Sequence, residues 1–93
     1  MDEHILPKIK SITMTCFACP SQWEGKFEDG SDLYIRYRWG FLRVDQNGAS
    51  VWGKQIGEGL DGVIDLKEVL TITGLELCEG THENTEGWEY YST

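Results

Sequence analysis

Between Leu33 and Trp39 apolar and polar positions alternate without a break, with Leu33, Ile35, Tyr37 and Trp39 on one side and Tyr34, Arg36 and Arg38 on the other. A period of two belongs to a β-strand with one buried face, which makes the first set core and the second set surface. Turn chemistry brackets this strand. Upstream, Ser21 to Phe27 runs into Glu28-Asp29-Gly30-Ser31-Asp32, whose Asp-Gly step supplies the positive φ of a hairpin turn. Downstream, Gly40 permits a reversal, Phe41 to Gln46 forms another arm, and Asn47-Gly48 is the strongest short hairpin signal in the chain. Ala49 to Ile56 then pairs back. Residues 8–14, rich in β-branched side chains, read as a first strand, broken by Cys16-Phe17-Ala18-Cys19-Pro20 because proline cannot donate to a ladder.

The pattern changes after the glycine-rich stretch from Gly57 to Gly62. Asp65 is placed as an N-cap with Glu68 three residues on, Leu66, Val69, Leu70 and Thr73 share one helical face, and Gly74 is placed to end the helix. These elements predict an α+β fold: a small curved antiparallel β-meander of about four strands with one short helix at about 65–73. A strand is the competing reading of the helical segment, since Val69, Thr71, Ile72 and Thr73 are poor helix formers. One domain is expected over residues 1–93, with a compact core at about 8–77. The acidic C-terminal tail, 78–93, is expected to be partly mobile, with Trp88, Tyr90 and Tyr91 docking its end.

At 93 residues the chain buries only about 60–65% of its unfolded surface, which leaves little room for an enclosed active-site cleft. Its formal charge of −8 repels extended polyanions and anionic membranes, so nucleic acid is a disfavoured partner and no membrane association is expected. No apolar run approaches the roughly 18 residues of a membrane span, and no secretory leader is recognised at the start. A cytoplasmic location follows as the expectation. Three cysteines have the wrong parity for a disulfide framework.

Cys16, Cys19, Cys78 and His82 together form the ligand set of a tetrahedral structural zinc site, C-x-x-C joined to C-x-x-x-H. The alternative is that the cysteines are small, partly buried packing residues and His82 is a surface side chain, with no cofactor at all. A redox role for the C-x-x-C lacks the helix N-terminus that would lower a thiol pKa. Tyr34, Arg36 and Arg38, joined by Arg43 from the next arm, cluster on the outer side of the central hairpin. Such aromatic and arginine surfaces bind single strands, or else form a ladder with carboxylates such as Glu24 and Asp45. Gly57-x-Gly59-x-x-Gly62 has the letters of a dinucleotide fingerprint without its βαβ setting, and reads as a loop.

The segments Cys19-Pro20-Ser21-Gln22-Trp23-Glu24-Gly25 and Tyr34-Ile35-Arg36-Tyr37-Arg38-Trp39-Gly40, with Leu60-Asp61-Gly62-Val63, resemble a group of short uncharacterised proteins carried by bacteriophages and bacteria. The likeness covers roughly residues 16 to 75. It implies an intracellular protein of phage or mobile-element origin and transfers no residue role. With it, the expected function is that of a non-enzymatic acidic interaction protein that binds, and by occupying its surface inhibits, a host or phage protein. Trp23, Tyr34, Arg36 and Arg38 are the expected interface residues, with the acidic tail steering. The alternative is a zinc-stabilised accessory protein that binds nucleic acid through the same face.

Overall fold

The alternation centred on Ile35 forms the middle of a single sheet in the computed structural model, which describes residues 6–17, 20–59 and 62–84. In chain order the elements are β1 (Ile9–Cys16), β2 (Ser21–Phe27), β3 (Asp32–Arg38), β4 (Phe41–Gln46), β5 (Ala49–Gln55), α1 (Leu66–Thr73) and β6 (Glu83–Asn84). The strand order is β5-β4-β3-β2-β1-β6. Neighbours from β1 to β5 are antiparallel and β6 is parallel to β1. Six strands replace the expected four: the five arms read from the residue pattern all form strands, and the sixth, β6, is two residues long, a pairing too brief to leave a periodicity to read.

The core lies on one face of this sheet. Ile9, Ile12 and Met14 of β1, Trp23 and Phe27 of β2, Leu33, Ile35 and Tyr37 of β3, and Leu42 and Val44 of β4 are buried there, with Leu66 and Val69 of α1. The helix is where the sequence places it. Asp65 Oδ1 accepts the Glu68 N–H at 2.9 Å, and Gly74 ends the helix at φ +79°, donating its N–H to the Leu70 carbonyl. Apolar packing compensates for its β-branched residues.

Three expectations are corrected by this arrangement. Trp23, expected at an interface, is fully buried, and its indole N–H donates to Glu83 Oε2 at 2.6 Å, linking β2 to β6. Trp39, expected in the core, lies beyond the end of β3 and is 55% exposed. The first part of the expected tail is part of the sheet. Ile9 exchanges backbone hydrogen bonds with Glu76 and Cys78, and the chain then follows β1 as far as the Ile12–Glu83 and Thr13–Asn84 pairs. Trp88, Tyr90 and Tyr91 lie outside the described residues.

Within the segment Ser21 to Gly25, prominent in the resemblance, Ser21 and Gly25 serve the fold as Trp23 does. The buried Ser21 hydroxyl accepts the Ile64 N–H at 3.1 Å and lies 2.9 and 3.0 Å from the Phe17 and Gly62 carbonyls, so it can donate to either. It fastens two connections to the start of β2. A Cβ on Gly25 would sit 1.9 Å from the Ser11 carbonyl oxygen, where β1 and β2 approach across a register shift.

Candidate functional site

The outer face of the sheet is set by the same alternation that builds the core. Register places Arg36 of β3 directly opposite Arg43 of β4, and Arg38 opposite Phe41. Two like charges facing each other across a ladder are destabilising unless something neutralises them. Arg43 has that relief: its Nε stands 3.1 Å from Asp45 Oδ1, an ionic contact without hydrogen-bond alignment, and its guanidinium lies 5.9 Å from the Tyr34 ring centre. Tyr34 is half-buried, and its hydroxyl donates to Gln22 Oε1 at 2.8 Å. It props Arg43.

Arg36 and Arg38 have no carboxylate partner among the described residues. Arg38 lies 5.1 Å from the Trp39 ring centre. Arg36 Nε is shut off from solvent with no hydrogen-bond partner, a state that costs about 1–3 kcal/mol for a buried donor. The carboxylate ladder considered for this face therefore reaches Arg43 alone. Glu24 faces Tyr34 in the register and pairs with no arginine.

Next to these arginines the chain turns through Trp39-Gly40, a two-residue loop with both residues at positive φ, +58° and +75°. This is the turn that matches the twist of a hairpin, and glycine or asparagine normally fills both positions. A bulky residue in the left-handed region costs about 1–2 kcal/mol. The turn is held by the end of β5. Gly40 is buried, its carbonyl accepts the N–H groups of Ile56 and Gly57 at 2.9 and 3.0 Å, and Gln55 Nε2 donates to the carbonyls of Trp39 and Gly57, both at 3.0 Å.

Phe41, 41% exposed, rests its ring against Gly53, where an added Cβ would come within 2.8 Å of it. Arg36, Arg38, Trp39, Phe41, Arg43 and Gln55 together line an open concavity of about 280 Å³. Its walls are guanidinium and aromatic surface, chemistry suited to an anion beside an apolar group. Trp39, Phe41 and Gln55 were not foreseen from the sequence as site residues. The available signal was the spacing: the β3 and β4 patterns are separated by two residues ending in glycine, as at Asn47-Gly48.

The zinc constellation does not assemble as expected. Cys78 sits beside Ile9 at one end of β1, and Cys16 forms the other end, seven residues along a strand. At 3.3 Å per residue these thiols are separated by roughly 20 Å, so one ion cannot take both. Cys78 Sγ lies 3.8 Å from Glu28 Oε1, and Cys78 and His82 line the same shallow surface with Lys10 and Glu28. Cys19 lies outside the described residues, and no cluster of three metal-ligating side chains occurs among the described ones.

No described helix is long and apolar enough to cross a membrane. Comparison with protein-family models, with curated proteins and with solved structures gives no match to this chain.

Proposed function

We propose that this chain is a non-enzymatic interaction module that engages a partner protein at the tip of the β3–β4 hairpin, with Trp39 as the apolar anchor and Arg36 and Arg38 beside it. One observation carries this reading: a tryptophan, more than half exposed, occupies a left-handed turn position held by Gln55 and by the Gly40 carbonyl. Strain of this kind persists where surrounding structure over-determines it, and it collects at binding sites. Tryptophan and arginine are also the residues in which interface anchors are richest. Under the resemblance to phage and bacterial proteins, the partner is a host or phage protein, and occupying its surface is the route to inhibition.

The test is affinity capture with the tagged full chain from a bacterial lysate, with and without nuclease, run alongside Trp39→Ala. A protein retained by the wild type in both arms, and released by Trp39→Ala without loss of thermal stability, is the expected result. Capture indifferent to Trp39→Ala removes the hairpin tip from the function. Capture abolished by nuclease transfers the face to nucleic acid.

A further inference from the structure

We infer that the concavity at the hairpin tip is an oxyanion site, and that its ligand is a side-chain carboxylate of the partner protein, received between Arg36 and Arg38 with an apolar neighbour lying on Trp39 and Phe41. The inference rests on the proposed binding role of this hairpin and adds the chemistry of what binds there. Arg36 carries the argument. It faces Arg43 across the ladder, its buried Nε has no hydrogen-bond partner, its guanidinium has no carboxylate among the described residues, and it lines a concavity of about 280 Å³. Asp45 is engaged with Arg43, so the charge left over at this end of the sheet is positive.

An entering carboxylate gives the Arg36 guanidinium the side-chain partner it has nowhere else among the described residues, in the planar two-point geometry that guanidinium favours. It also relieves the repulsion between Arg36 and Arg43. The choice of a protein carboxylate over a nucleic-acid backbone comes from the distribution of charge. All three arginines line this one concavity, while the rest of the chain holds sixteen carboxylates against five lysines. A long polyanion tracking past the site would be repelled by that remainder, whereas a single carboxylate set in a neutral or basic surface is not. The partner that fits presents an isolated Glu or Asp next to an aromatic or aliphatic side chain.

The full chain labelled with nitrogen-15 is titrated at physiological salt with a blocked Phe-Glu peptide, with its Phe-Gln counterpart, and with a short oligothymidylate, following the Arg36 Nε–H resonance. The acidic peptide is expected to shift that resonance and to bind about tenfold or more tightly than the neutral one. Arg36→Gln should weaken the acidic peptide by a similar factor, and Arg36→Lys, which keeps the charge and loses the fork, by an intermediate one. Should Arg36→Gln fail to fold, the wild-type resonance still decides. An unmoved resonance, equal response to both peptides, or an oligothymidylate that displaces the acidic peptide overturns the inference. Its failure is separable from that of the binding role: a partner released by Trp39→Ala and retained by Arg36→Gln keeps the role and removes the oxyanion site.

Discussion

Two hairpin turns in this chain share a backbone and differ in what they are for. Asn47-Gly48 and Trp39-Gly40 each join adjacent strands through two residues at positive φ, +52° and +84° in the first, +58° and +75° in the second. The first is built from residues that adopt this conformation cheaply. Asn47 also accepts the Asp32 N–H on its side-chain oxygen and donates its own N–H to the Asp32 carbonyl, both at 2.9 Å, so its side chain serves the fold. A Cβ on Gly48 would meet nothing within 4 Å. The second turn places an indole where asparagine would do, and recruits the end of β5 to hold it. Equal geometry at unequal cost separates a turn that only reverses the chain from one that presents a side chain.

The largest effect that sharpens this contrast is expected from the glycines. A Cβ on Gly40 would sit 2.6 Å from the Gly57 backbone at a φ of +75°, so Gly40→Ala combines overpacking with left-handed strain and should cost about 3 kcal/mol or more. Thermal unfolding should fall by roughly 15 °C. Gly48→Ala meets only the conformational penalty and should cost about 1 kcal/mol. Equal losses at the two sites would break the comparison at its root.

Next in size is Gln55→Ala, which removes the side-chain bonds to Trp39 and Gly57. It should cost about 1–2 kcal/mol in chemical denaturation and weaken partner capture although Gln55 is no anchor itself. Loss of stability with full capture would mean that the clamp serves the fold alone. Smaller and of opposite sign is Trp39→Asn, which makes the second turn chemically like the first. It should raise stability by up to about 1 kcal/mol while ending capture. A destabilised Trp39→Asn protein would show that the indole packs for the fold.

The smallest effect belongs to a third turn, at Asp29. The Ser31 hydroxyl and then the Ser31 N–H donate to its carboxylate and hold its pKa below the ordinary 3.8. Because the folded value is the lower one, the contribution is present above pH 3.8 and disappears as pH falls through the folded pKa. Carbon-detected titration should give a midpoint for Asp29 under 3.8 that returns toward it in Ser31→Ala, with little change in stability near neutrality. An unchanged midpoint in that variant would remove the hydroxyl as the cause.

Much of the fold was legible because its signals are local. The strand β4, the Asn47-Gly48 turn, Asp65 as N-cap and Gly74 as C-cap all fall where the residue pattern puts them. Trp39 was misread for a traceable reason: the alternation that buries Leu33, Ile35 and Tyr37 continues for one more apolar residue, and only the Arg38–Phe41 pairing shows that the strand has already ended. Trp23 misled in the opposite direction, since its indole N–H finds its acceptor 60 residues away on Glu83.

What the sequence determined by itself is the run of elements from β1 to α1 and the buried face of β3 from Leu33 to Tyr37, because strand period, turn propensity and helix capping act over four residues or fewer. What the tertiary structure decided is which side chains meet. It set Arg36 against Arg43, sent Gln55 back to the Trp39 carbonyl, and placed Cys16 and Cys78 at opposite ends of β1. Those outcomes depend on strand order and register, which follow from burying one continuous core across the whole chain, and no local segment carries that information.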